Sequence, residues 1–280
     1  MTDSHHNGTI VCWDRELSLE RVLLMGVVNV TPDSFSDGGQ FLDARRAVDH
    51  AKRLLDEGAD ILDIGGESSR PGSDPVSDEQ EWARLKPVLE ALLRNGGAPV
   101  SVDTYRPATA NRALELGAHI INDISGLRDP EMAEVAARHQ APVVIMHMRG
   151  QPKTMQQDVH YEDVVEEVKG FLAAQARRAA EAGVRQIILD PGIGFGKNTD
   201  HNLQLMRRLG EFAALPYPLL VGPSRKAFLG HVTGSAVGER LEATLAAVTA
   251  AVLGGANIVR VHDVKQCRQA VLVAEAIRGA

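Results

Sequence analysis

Cysteine is almost absent: Cys12 and Cys267 are the only two in 280 residues. That excludes a disulfide framework and a cysteine-based zinc site, and makes a reducing compartment the expectation. Positive charge is not in excess either. With 30 basic against 37 acidic residues the formal net charge is −7, which argues against duplex nucleic acid or anionic lipid as the main partner. Residues 1–8 hold no apolar signal core. The longest apolar run, 243–259, is broken by Thr244, Thr249, Asn257 and the pair Gly254-Gly255, so no membrane span is expected. No linker rich in Pro, Gly or Ser divides the chain, and no low-complexity segment occurs. The expectation is one cytoplasmic domain, with 44% hydrophobic residues available for a sizeable core.

Familiar catalytic signatures are missing as well. Gly192-Ile-Gly-Phe-Gly-Lys-Asn198 has Asn where a phosphate loop needs Ser or Thr, and its Gly spacing is one short. Gly222-Pro-Ser-Arg-Lys226 lacks the final Gly of a nucleophile elbow. His147 has no second His at metal-ligand spacing. Neither cysteine has an evident His partner, so buried, inert thiols are expected.

What is present is a repeat. Asp56-Glu-Gly-Ala-Asp-Ile-Leu-Asp63, Leu116-Gly-Ala-His-Ile-Ile-Asn122 and Gly254-Gly-Ala-Asn-Ile-Val-Arg260 each join a helix end to a Gly and then to a short β-branched run. The Gly suits a left-handed helix cap, and the apolar run suits a buried parallel strand. Strands read this way fall at 22–30, 59–65, 99–103, 119–124, 142–148, 186–191, 218–222 and 257–262. Helices fall at 44–57, 78–94, 108–116, 131–139, 161–182, 202–212, 239–253 and 266–277. Eight strands, each followed by a helix, predict an α/β fold: a single-domain (β/α)8 TIM barrel over 22–280, with residues 1–21 as an extension packing on it.

In such a barrel the chemistry lies at the carboxyl ends of the strands. Nearly every strand here ends in a polar side chain: Asn29, Asp63, Asp103, Asn122, His147 and Asp190, then Ser224 just past the seventh, and Arg260 with His262. One such residue is usually a cap; eight converging on one rim are not explained by capping. Arg260 and His262 are two apart on a strand and share a face, as an anion site wants, unless Arg260 pairs with Asp263 instead. Asn122 and Asp123 point oppositely, so only one of them faces the mouth. The loops Thr31-Pro-Asp-Ser-Phe-Ser-Asp-Gly-Gly39 and Glu67-Ser-Ser-Arg-Pro-Gly-Ser-Asp74 are rich in hydroxyls, charge and turn formers, and read either as lids or as solvated connections. Carboxylates and amides suit a heterocycle presenting N–H donors, while Lys226, Arg260 and His262 suit a phosphoester.

The motifs resemble those of the dihydropteroate synthase family of pterin-binding barrels, in register over residues 25–277. They are Met25-Gly-Val-Val-Asn-Val-Thr-Pro-Asp-Ser-Phe-Ser-Asp-Gly-Gly39, Asp63-Ile-Gly-Gly-Glu-Ser-Ser-Arg-Pro-Gly72 and Ser101-Val-Asp-Thr104. Ile121-Asn-Asp-Ile124, Met146-His-Met148 and Leu189-Asp-Pro-Gly-Ile-Gly-Phe-Gly-Lys197 follow, then Val221-Gly-Pro-Ser-Arg-Lys226 and Val259-Arg-Val-His-Asp-Val264.

The resemblance implies condensation of 6-hydroxymethyl-7,8-dihydropterin diphosphate with p-aminobenzoate, releasing pyrophosphate. It implies that Asp190, Asn122 and Asp103 bind the pterin edge, with Lys226 on its O4/N5 side. Ser69, Arg260 and His262 would take the diphosphate, and Asn29 would help hold Mg²⁺. Phe35, Arg70, Pro71 and Ser224 would shape the p-aminobenzoate pocket. Asp103, Lys226 and Arg260 would carry the chemistry, Asp103 by stabilising a pterin-methyl cation. Ser69 stands where the family often has Thr, which keeps the hydroxyl and changes the packing. Small-molecule substrates, a homodimer, and no nucleic-acid or membrane partner complete the expectation. The alternatives are a methyltetrahydrofolate:corrinoid methyltransferase, which needs no diphosphate cluster, and a pterin-binding protein without catalysis.

Overall fold

A computed structural model describes residues 8–31, 39–68, 72–94, 96–157 and 159–280. The chain opens with an antiparallel hairpin, β1 (Thr9–Val11) and β2 (Glu16–Ser18). Eight parallel strands follow: β3 (Leu23–Asn29), β4 (Ile61–Gly65), β5 (Val100–Asp103), β6 (Ile120–Asp123), β7 (Val143–Met146), β8 (Ile187–Asp190), β9 (Leu220–Val221) and β10 (Ile258–Val261). Helices α1 (Gly39–Asp56), α2 (Asp78–Leu93), α3 (Pro107–Glu115), α4 (Pro130–His139) and α5 (Val164–Glu181) cover the first five barrel connections. The rest are α6 (Thr199–Arg207), α7 (Leu209–Ala213), α8 (Ala227–Thr233), α9 (Leu241–Leu253) and α10 (Val264–Gly279).

The sheet runs β8-β7-β6-β5-β4-β3-β10-β9, and a parallel bridge between Leu189 and Leu219 joins its two edges. The expected (β/α)8 barrel is therefore what forms. Helix α1 begins at Gly39 rather than at 44, and two further details differ from the sequence pattern. The helix expected over 202–212 begins at Thr199, where Asn198 and His201 form a reciprocal cap, and divides at Arg208 into α6 and α7. Helix α8 has no counterpart in the expected series, because seven residues are too few to show a helical period.

Strand alternation explains what faces inward. Leu23 and Met25, Ile61, Ile120, Val144, Ile188, Leu220 and Ile258 form one buried apolar cluster in the lower barrel. Ile10 and Cys12 of the hairpin join it, so β1 closes the amino-terminal end. The outward-facing strand residues, such as Leu62, Ile64, Ile121 and Val259, pack with the helices in a second, larger core. Two residues further along four of the strands the inward positions turn polar: Asp63 after Ile61, Asn122 after Ile120, Asp190 after Ile188, Arg260 after Ile258. A period of two thus sets a polar layer on an apolar floor. Both thiols are buried and unpaired, and burial pushes each up to about 12.

Candidate active site

Arg260 is the hub of the polar layer. Its Nε donates to Asp63 Oδ2 at 2.6 Å and its Nη2 to Asp103 Oδ2 at 2.7 Å. Asn122 Nδ2 also donates to Asp63 Oδ2, at 3.0 Å, so four side chains from β4, β5, β6 and β10 form one connected set. Burial works against the Arg260 charge, but Asp63 and Asp103 outweigh it and hold the guanidinium firmly protonated. Asp103 is pushed up to about 7 by burial, against the pull of Arg260. The pairing of Arg260 with Asp263 does not form; Asp263 takes Arg225 in a bidentate contact at 2.6 and 2.9 Å.

The choice between Asn122 and Asp123 is also resolved. Asn122 faces the mouth, while Asp123 is turned away and accepts the N–H groups of Ser125 at 2.7 Å and Leu127 at 3.0 Å. Asp123 therefore shapes the loop that follows β6.

Asp190 is buried at the end of β8, and its Oδ1 accepts the Gly192 N–H at 2.7 Å. Burial pushes its carboxyl up to about 6, with Gly192 and then Lys226 opposing. Lys226 caps the approach to α8; its Nζ sits 3.8 Å from the centroid of Phe195, a cation–π geometry. Burial, with Arg260 next, pulls that ammonium down to about 7. Gly194 lets it lie there: φ is +85°, and a β-carbon would meet Lys226 Cδ at 2.7 Å.

Ser224 and His262 are partnered, Oγ to Nδ1 at 3.0 Å, and the His262 backbone N–H donates to the same Oγ at 3.2 Å. Burial, then Arg260, pulls the imidazole down to about 3, so it is neutral near pH 7. Asn29 ends β3 in register with Gly65, half-buried, and its amide has no hydrogen-bond partner among the described residues. Of the expected site residues, Asp103, Asn122, Asp190, Lys226, Arg260, Ser224, His262 and Asn29 thus share the carboxyl rim. Phe35, Ser69, Arg70 and Pro71 lie outside the described residues.

The root of the second loop is well anchored. Glu67 accepts from Tyr105 Oη at 2.8 Å and pairs with Arg106 at 2.6 Å; Arg106 also reaches buried Glu81 at 3.4 Å. Its far end meets the loop after β7, where the Gly72 N–H donates to the Pro152 carbonyl at 3.3 Å.

Several contributors carry no assignment from sequence. Asp63 stands out there only as a polar strand end, although its inward place follows from Ile61 by the two-residue period. Ile124, Met146, Met148, Met155 and Phe195 form an apolar cluster above the floor that offers a wall for a flat ring. They come from separate strands and loops, so no local pattern marks them. Lys197 is buried behind Asp190, in the glycine-rich loop whose spacing does not fit a phosphate cradle.

The site can hold a flat heterocycle by its hydrogen-bonding edge, with cations on the side where an anion would lie. A family model described as "Pterin binding enzyme" matches residues 25–262. The chain is 47% identical over 262 residues to a dihydropteroate synthase of Synechocystis sp., covering 92% of this chain and 91% of that one. A Xanthomonas albilineans dihydropteroate synthase solved with 4-aminobenzoic acid superposes with a TM-score of 0.91, at 43% identity over 98% of this chain and 99% of that one. A Thermus thermophilus dihydropteroate synthase in complex with 4-aminobenzoate gives a TM-score of 0.88, at 49% identity over 96% of this chain and 99% of that one.

Proposed function

This chain belongs to the dihydropteroate synthases, within the pterin-binding enzyme family, and we propose how its barrel mouth joins p-aminobenzoate to 6-hydroxymethyl-7,8-dihydropterin diphosphate. The observation that carries this reading is the connected set Asn122–Asp63–Arg260–Asp103, lying on one rim with Asp190, Lys226 and His262. It offers acceptors for a pterin edge and cations for a diphosphate within one barrel mouth.

Asp190 accepts from the 2-amino group and N3–H of the pterin, with Asn122 and Asp103 on neighbouring ring nitrogens. The fixed carboxylate of Asp190, held by the Gly192 N–H, supports that role. Lys226 donates to the O4/N5 side, and the Ile124, Met146 and Phe195 cluster supports a stacked ring. Arg260, His262 and Ser69 take the diphosphate; Phe35, Arg70, Pro71 and Ser224 shape the p-aminobenzoate pocket.

The arylamine nitrogen attacks the pterin methylene carbon as the C–O bond to diphosphate breaks. Pyrophosphate carries away the electron pair, and the amine proton is lost to solvent. An arylamine is neutral at pH 7, so expulsion of the leaving group is the harder part. Arg260 stabilises the charge that develops there, and ionised Asp103 stabilises the cationic character left on the pterin methylene.

Magnesium fits this rim. The Asn29 amide oxygen is a hard donor with no partner among the described residues, and it would help hold the ion. Such an ion would supply charge neutralisation on the departing diphosphate. Two buried, unpaired cysteines support a cytoplasmic location. No helix among the described residues is long and apolar enough to cross a membrane. The exposed Leu272, Val273 and Ile277 of α10 support a homodimer, which sedimentation would test.

The decisive assay is pyrophosphate release with the dihydropterin diphosphate and Mg²⁺, with and without p-aminobenzoate. Release that requires p-aminobenzoate and yields dihydropteroate is expected. Pterin binding without turnover would overturn the reading.

A further inference from the structure

Lys197 is buried at the back of the site, and no carboxylate among the described residues hydrogen-bonds its ammonium. Its Nζ lies 2.9 Å from the Phe195 carbonyl, 3.0 Å from the Gly192 carbonyl and 3.0 Å from His147 Nδ1, with the His147 carbonyl at 3.3 Å. An ammonium has three protons, and three close acceptors surround it. His147 serves as an acceptor because burial, with Lys197 beside it, pulls it down to about 2 and keeps it neutral.

Each of these acceptors belongs to a segment that supports a substrate-facing group. Gly192 donates its own N–H to Asp190 Oδ1 at 2.7 Å. Phe195 presents the ring over which Lys226 Nζ sits at 3.8 Å. The His147 backbone N–H donates to the Asp190 carbonyl at 3.0 Å, tying the end of β7 to the end of β8. The knot is braced from behind: Phe171 meets the His147 ring edge-on at 5.0 Å, and Tyr161 Oη donates to the Gly196 carbonyl at 2.9 Å.

The geometry points to Lys197 as a positioning residue for pterin recognition: one buried ammonium fixes the backbone that aims the Asp190 carboxylate and carries the Phe195 platform beneath Lys226. It does not touch substrate. The inference rests on the pterin-binding reading of the rim. Burying a cation among neutral acceptors is costly, and burial pulls this ammonium down to about 7. A lysine there is accounted for by what it orients, since an apolar residue of similar length would pack without that cost.

The test compares Lys197→Met with Asp190→Asn by calorimetric titration of the dihydropterin diphosphate, alongside the KM for p-aminobenzoate. Lys197→Met, which keeps the length and loses the donors, is expected to weaken pterin binding roughly 10- to 100-fold while the p-aminobenzoate KM stays within about twofold. A folded Lys197→Met protein that binds pterin like the parent overturns the inference, as does equal loss for both substrates, which a merely structural role would give. If Lys197→Met does not fold, His147→Asn decides: pterin affinity lost at an unchanged Tm supports the inference, and unchanged affinity overturns it. Asp190→Asn separates the two levels. If it binds pterin normally, the reading of the rim falls; if it loses pterin and Lys197→Met does not, only the role of Lys197 falls.

Discussion

Arg260 Nε donates to Asp63 Oδ2 at 2.6 Å, and that carboxylate is fully buried. The same oxygen receives Asn122 Nδ2, while Oδ1 is buried with no partner among the described residues. Asp63 thus holds one cation and one amide in register within the barrel mouth.

Replacing Asp63 with alanine removes the partner of a buried guanidinium. Breaking a buried ion pair costs about 3–5 kcal/mol, and Asp103 remains to soften the loss, so a destabilisation of about 3 kcal/mol is expected by urea unfolding. A loss under about 0.5 kcal/mol, the range of neutral surface changes, would remove Asp63 from this role.

Asp103 gives the pH dependence its sign. Its pKa is raised to about 7 by burial, so it loses charge as pH falls through that value. If the ionised form stabilises the pterin methylene, kcat/KM for the pterin falls on the acid side of about 7. Asp103→Asn should lower kcat about 100-fold and flatten that limb. An Asn variant with parental kcat and an unchanged profile would sink the assignment.

Asp190 is costly to ionise in the folded protein. Its carboxyl is raised to about 6 in the folded protein from an ordinary value of 3.8, so the fold binds the proton more tightly than the unfolded chain does. Stability is therefore lost as pH rises between those values and stays lost above them. Asp190→Asn should raise Tm at about pH 8, by about 3 °C for each kcal/mol recovered, and the gain should fade as pH falls towards about 4. The same variant should lose pterin binding. A thermal scan showing equal gains at both pH values would contradict burial of the charged carboxylate as the cause.

Gly192 is fixed by space as well as by φ. At φ +67°, a β-carbon would overlap the His147 carbonyl oxygen, and that oxygen is backbone. Gly192→Ala is expected to cost about 3 kcal/mol of stability and to displace the N–H that holds Asp190. Parental stability and activity together would show that the β7 and β8 loops give way freely.

Much of the fold is legible along the chain. The αβ junctions at Gly58, Gly117 and Gly255 mark a repeating unit, and each of these glycines has positive φ. The polar strand ends Asp63, Asn122, Asp190 and Arg260 are legible too, but which of Asn122 and Asp123 turns inward is decided by the register that places Ile120 in the barrel floor. Legibility ends where local pattern ends. Helix α8 is too short to show a period, and the N-terminal hairpin that closes the floor has strands of three residues.

The barrel and its rim follow from short-range regularities: strand alternation, helix caps and polar strand ends. The pairing of side chains across the rim follows from long-range packing. Arg260 pairs with Asp63 and Asp103, which lie 197 and 157 positions away, and not with Asp263, which Arg225 holds. Lys197 becomes interpretable once His147, 50 positions earlier, is brought within 3.0 Å. Side-chain pairing across a closed barrel depends on which strands meet and at what register, and no local stretch of sequence carries that information.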